Sequence, residues 1–135
     1  MDIVRKLGFV YFFILILVVA VGYVPGFEDA DGRLFGLFTL DLYDDALHFA
    51  SGLWGGVAAW ISRPAAVQYF RIFGVLYFAD AMMGLAFGSG YLDGGIVIYG
   101  VLDLPLLTRF FANLPHILLG GGAILIGFVL ARRRV

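Results

Sequence analysis

Charged residues in this chain fall in short clusters, and long apolar runs separate the clusters. The run from Leu7 to Val24, LGFVYFFILILVVAVGYV, holds no charge. It has the roughly 18 to 20 residues needed to cross about 30 Å of hydrocarbon at helical rise. Three more runs rich in Leu, Ile, Val, Phe, Gly and Ala follow, at about residues 44–62, 69–87 and 113–131. Arg5 and Lys6 ahead of the first run also suit a signal peptide, but the run is long and no A-x-A cleavage site follows it. The pattern therefore predicts an all-α, four-helix transmembrane bundle forming one integral membrane domain over residues 1–135. Between the last two runs, Ile96 to Leu102 is apolar, too short to cross and bracketed by Gly and Asp, so it reads as an interfacial or re-entrant piece. The first connection, PGFEDADGRLFGLFTLDLYD, begins acidic and turns aromatic, as expected of a loop returning along the headgroup layer.

Four crossings place both termini on one side. Arg5, Lys6, Arg63, Arg71, Arg132, Arg133 and Arg134 fall on that side and only Arg33 and Arg109 opposite, so the bias of basic residues toward the inner face makes both termini cytoplasmic in a plasma (inner) membrane. Glu28, Asp29, Asp31, Asp41, Asp44, Asp45, Asp93 and Asp103 give the outer face a negative potential. The arginines of ARRRV anchor the last helix at the inner leaflet.

The layout also repeats. GFVYFF from Gly8 matches GVLYFA from Gly74 at an offset of 66, and the segments around the only two histidines, DALHFASG and NLPHILLG, match at an offset of 68. Each half is then a helix, an outer loop and a returning helix. Two halves of the same direction imply a parallel repeat about an axis along the membrane normal.

Helical spacing places Gly52, Gly55 and Ala59 on the face of His48, and Gly120, Ala123 and Gly127 on the face of His116. Small-residue stripes of this kind let helix backbones approach closely in lipid. Both histidines are expected about one turn inside the outer boundary, with Asp45 or Asn113 capping the helix start and Pro115 at an early helical position. Two readings stay open. The imidazoles are helix-pairing hydrogen bonders, or they face each other as axial ligands of haem b, with Gly52 and Gly120 giving clearance for the macrocycle. Asp80 is the only charge from Ile72 to Gly88. Such a group must point inward, toward Ser51, Tyr77, His48 or His116, either as a neutral hydrogen-bonded acid or as part of a proton or ion path.

Composition narrows the classes. At 62% apolar and 14% charged residues, with mean hydropathy +0.98, the chain is too apolar for a soluble domain. The absence of cysteine excludes disulfides, thiolate metal ligands, covalent haem attachment and a thiol nucleophile. Asp45 and Asp80 beside two histidines make a thin donor set for zinc or copper, so no metal site is expected. No nucleophile elbow, phosphate loop or HExxH is present, and three terminal arginines do not make a nucleic-acid surface.

Taken in order, GRLFGLF, DDALHFASGLWGGVAAW, QYFRIFGVLYFADAMMGLAFG and NLPHILLGGGAILIG resemble a bacterial family of four-helix membrane proteins, the domain of unknown function number 4383. The resemblance covers roughly residues 5–130. It implies a four-span fold with no assigned activity and no established cofactor, and its pattern falls on His48, Gly52, Gly74, Tyr77, His116 and Gly120. The acidic first loop, Asp80 and Pro115 depart from it. The expected function is that of a non-enzymatic accessory or scaffold subunit without a cofactor, whose partners are the bilayer and a homo-oligomer or larger membrane complex. The alternatives are a bis-histidine haem b electron carrier and a small channel or transporter using Asp80.

Overall fold

A computed structural model describes residues 1–38 and 41–133. The described residues are all-helical, with five α-helices among them: α1 (Ile3–Val21), α2 (Leu42–Ile61), α3 (Arg63–Phe87), α4 (Gly95–Ile98) and α5 (Leu106–Phe128), followed by a 3-10 turn at Leu130–Arg132. Among the described residues three segments are long and apolar enough to cross a membrane: Ile3–Val21, Arg63–Phe87 and Leu106–Arg132, with mean hydropathies of 2.3, 1.5 and 2.0. Helix α2 has the length, at 20 residues, but with two acids in its first turn it is not among them. Arg134, assigned above to the inner leaflet, lies outside the described residues.

The helices begin earlier than the apolar runs, and for α1, α2 and α3 a polar cap, at Asp2, Asp41 and Ser62, sets the start instead of hydropathy. Asp2 caps α1 by accepting from the Val4 amide at 2.9 Å. Asp41, not Asp45, caps α2: its carboxylate accepts from the amides of Tyr43 and Asp44, while the Asp44 carboxylate accepts from the Asp41 amide. This reciprocal box satisfies amides that the helix start leaves open, and it puts Asp44 and Asp45 at the positive end of the helix dipole. The turn expected at SRPAAVQ contracts to Ser62, which is extended at φ −168°. The Ser62 hydroxyl accepts from the Ala65 amide at 3.2 Å, and Pro64 tolerates the first turn of α3, where its missing N–H costs nothing. Helix α5 starts at Leu106 behind Pro105, one and a half turns or more before the position expected. Asn113 is therefore inside the helix, with its side-chain amide donating to the Arg109 carbonyl at 2.8 Å, and Pro115 is an interior proline instead of an early one.

By its contacts the chain divides into two compact units, one over Met1–Ala66 and one that begins at Val67. In the first, α1 packs on α2 through small residues. A Cβ at Gly8 would lie 2.7 Å from the Ala59 Cβ, and one at Gly52 would lie 3.0 Å from the Leu15 Cβ. Arg5 closes the end of this pair, donating from Nε to the Ala59 carbonyl at 2.6 Å and from its guanidinium to the Trp60 carbonyl at 2.7 Å. The first connection does not simply return along a surface. It folds into a small bridged turn in which Leu34 pairs with Glu28 and Phe38 and is buried.

The second unit packs α3 on α5 by the same means. A Cβ at Gly74 would lie 2.7 Å from the Ile124 backbone nitrogen, one at Gly120 would lie 3.0 Å from the Phe78 Cα, and one at Gly127 would lie 2.9 Å from Arg71. Arg71 donates to the Gly127 carbonyl at 2.9 Å and lies over the Phe128 ring at 5.3 Å. On α3, Tyr69, Phe73 and Tyr77 form a buried aromatic ladder, with Phe73 and Tyr77 stacked at 4.0 Å between centroids.

Candidate functional site

The polar residues the sequence singles out are distributed over both units. Asp80, Tyr77, His116 and Gly120 belong to the second unit, whereas His48, Ser51 and Gly52 belong to the first. His48 and Ser51 are both buried on α2, at 6% and 9% exposure.

The second unit carries the most developed polar arrangement. Helix α3 ends at Phe87, and Gly88 follows at φ +81°, a left-handed turn that reverses the chain. The connection then runs back along the helix it has left. The Tyr91 phenol donates to the Leu76 carbonyl at 2.8 Å, eleven positions before the end of α3. Leu102 returns its amide to the Phe87 carbonyl at 2.8 Å, and Ser89 donates to the Gly100 carbonyl at 2.6 Å. The part that lies back along α3 is Ser89 to Leu92, ahead of the stretch Ile96–Leu102. That later stretch holds the single turn of α4 and exposed Val97 and Val101.

Irregular backbone alongside an apolar helix needs acceptors for its amides. Asp80 supplies one: its Oδ1 accepts from the amides of Tyr91 at 2.7 Å and Leu92 at 2.9 Å. Its other oxygen, Oδ2, lies 2.7 Å from Nδ1 of His116. One carboxylate, 4% exposed, therefore ties α3, the connection and α5 together. Gly90 makes room for it, since a Cβ there would run into the Asp80 carboxylate. The His116 ring packs 4.9 Å from that of Tyr77. The imidazole side chain is 20% exposed, against 6% for the carboxylate. Burial, and then the negative charge of Asp80, raise the Tyr91 phenol above the usual tyrosine value. Oδ1 of Asp80 is filled by backbone amides, which no side-chain reading of the sequence could name.

Three arginines also have a role inside the fold. Arg5 and Arg71 serve helix C-termini as well as any membrane face, because their guanidinium groups satisfy the last carbonyls of α2 and α5, where the helix dipole is negative. Arg109 does the same for α3, donating to the Leu85 and Ala86 carbonyls at 3.4 and 3.1 Å. The signal was present: RKLGFVYF and RIFGVLYF share Arg, Gly, Tyr and Phe at the same spacing.

Among the described residues no group of three or more His, Asp or Glu side chains is placed to hold a metal ion. Comparisons with protein-family models, curated proteins and solved structures find no match to this chain.

Proposed function

We propose that this protein is a non-enzymatic integral membrane protein that crosses the plasma membrane four times with both termini cytoplasmic, and that it serves as an accessory or scaffold subunit. The observation that carries the reading is the Asp80 junction: both carboxylate oxygens are engaged by donors of its own unit, so the one acid in the middle of an apolar helix acts as an internal fixture. The fourth crossing is α2, whose 20 residues reach about 30 Å. Support for two like halves comes from contacts that recur at the repeat offsets. Arg5 on Ala59 corresponds to Arg71 on Gly127, Gly8 to Gly74, and Gly52 against the α1 backbone to Gly120 against the α3 backbone. The likeness to the four-helix family of unknown function agrees with this reading and adds no activity to it.

Haem b fits less well. The glycine faces that would clear a macrocycle are closed by the neighbouring helix of the same hairpin, at Gly52 by Leu15 and at Gly120 by Phe78. The experiment has two arms. Extraction in mild detergent should return the chain in a homo-oligomer or larger complex, and the purified chain in liposomes should pass protons no faster than empty vesicles. A monomer throughout, or a flux that Asp80→Asn abolishes, overturns the reading. A Soret band lost in both His48→Ala and His116→Ala would replace it with the haem one.

A further inference from the structure

The turn in the first connection is closely tied, and it holds an aromatic pair in the open. Within positions 26–38 the Asp29 amide donates to the Arg33 carbonyl at 3.0 Å, that of Leu34 to Phe38 at 2.8 Å and that of Phe35 to Phe27 at 2.9 Å. The Asp29 carboxylate accepts from the Asp31 and Arg33 amides, and Leu34 is buried. On this frame Phe35 takes φ +53°, the one left-handed non-glycine residue among those described. Bulky residues rarely adopt that backbone, and it persists only where the surroundings hold it. The result is display instead of packing: Phe35 is 64% exposed and Phe27 43%. Their rings meet edge to face, with centroids 5.8 Å apart.

Charge decides what such a pair can meet. The turn carries Glu28, Asp29 and Asp31 against the single base Arg33, all of them exposed. Entry into a leaflet would bring three carboxylates toward lipid phosphates, which repel them. A second copy of this chain offers no basic rim either. On the face that the proposed topology makes outer, its bases are Arg33, inside the same acidic turn, and Arg109. The Arg109 guanidinium is held by the Leu104 and Ala86 carbonyls and by Asp103 at 3.5 Å.

We propose that this turn docks on a different protein, at an apolar socket rimmed by lysine or arginine on that protein's outer face. Phe27 and Phe35 fill the socket, and Glu28, Asp29 and Asp31 pair with the rim. Aromatic anchors supply most of the energy of a small interface, and complementary charge around them excludes wrong partners. The inference rests on the accessory-subunit reading and adds the surface and the chemistry by which that subunit is bound.

Site-specific photocrosslinking of the full chain, in cells that natively make it, tests the proposal. The photoreactive residue p-benzoylphenylalanine in place of Phe35, or of Phe27 if the first variant does not accumulate, should give an adduct with one heterologous protein. Peptide mapping should place that adduct among apolar residues flanked by lysine or arginine. The same photoreactive residue in place of Phe13, 66% exposed on α1, should not give it. Glu28→Lys with Asp31→Lys should abolish the adduct, Asp29 being kept because its carboxylate holds the turn. Phe35→Gly should keep the fold, since glycine accepts left-handed backbone, and should lose the adduct formed from position 27. Adducts with lipid or with a second copy overturn the proposal. So do an adduct mapped to an acidic or uncharged surface, one that survives the charge reversal, one shared with position 13, and the absence of any adduct from both ring positions. A larger complex that persists in mild detergent beside such a result leaves the accessory-subunit reading standing, whereas a monomer throughout overturns both.

Discussion

Gly90 is where one atom decides most. Its backbone passes so close to the Asp80 carboxylate that a methyl group cannot be placed without moving one or the other. Gly90→Ala should therefore destabilise the protein by about 1–3 kcal/mol, the usual cost of overpacking a closed site, read as a lowered thermal midpoint in detergent. Tyr23 makes the opposite kind of contact, exposed and electrostatic. Its phenol donates to Asp45 at 2.9 Å, and that bond, then the negative charge of Asp45, raise the phenol above its ordinary value. The folded chain then holds the phenolic proton more tightly than the unfolded chain. The contribution is complete below the unfolded value of 10.0 and is lost as the pH rises through the higher folded value. In an alkaline absorbance titration, Tyr23→Phe should remove one late-ionising phenol.

Helices in this protein meet through absent side chains. The stripe Gly120, Ala123, Gly127 is buried against α3, and its neighbour Gly121 is not, with only the Phe78 ring 3.9 Å from where its Cβ would stand. The two adjacent glycines should respond in opposite directions. Gly120→Ala should cost about 1–3 kcal/mol by wedging the helices apart, whereas Gly121→Ala should be neutral or stabilise by up to about 1 kcal/mol, because alanine loses less backbone entropy in a helix. Thermal unfolding of the two variants in one detergent checks the pair, and equal losses would show that the stripe is not the contact. These stripes were legible from spacing alone, because a helix maps sequence positions onto faces regardless of what it packs against. The boundaries were less legible, because hydropathy marks the apolar middle of a helix while capping side chains such as Asp2 and Asp41 set its start.

At the scale of the whole molecule, the prediction concerns how often the chain crosses. The proposed four crossings place Asp31 and Val97, both exposed, on the same face, because α2 and α3 both lie between them. The chain has no cysteine, so single substitutions report cleanly. Asp31→Cys and Val97→Cys should both react with an impermeant maleimide applied from outside intact cells, and Arg133→Cys should react only after permeabilisation. Labelling of Asp31→Cys and Val97→Cys from opposite faces would mean that α2 does not cross.

Sequence alone determined that this is a helical chain with apolar segments of membrane-crossing length, and which small residues each helix would turn toward a neighbour, because both follow from hydropathy and a fixed helical period. It singled out Asp80 as costly where it stands, and the histidines as its candidate partners. Only the tertiary structure decided that His116 is the partner, and that the remaining acceptor oxygen serves the amides of Tyr91 and Leu92. Every residue but proline carries such an amide, so nothing in the side-chain alphabet marks the ones that matter. They acquire a role only when a reversal at Gly88 lays the chain back beside the helix it has just left.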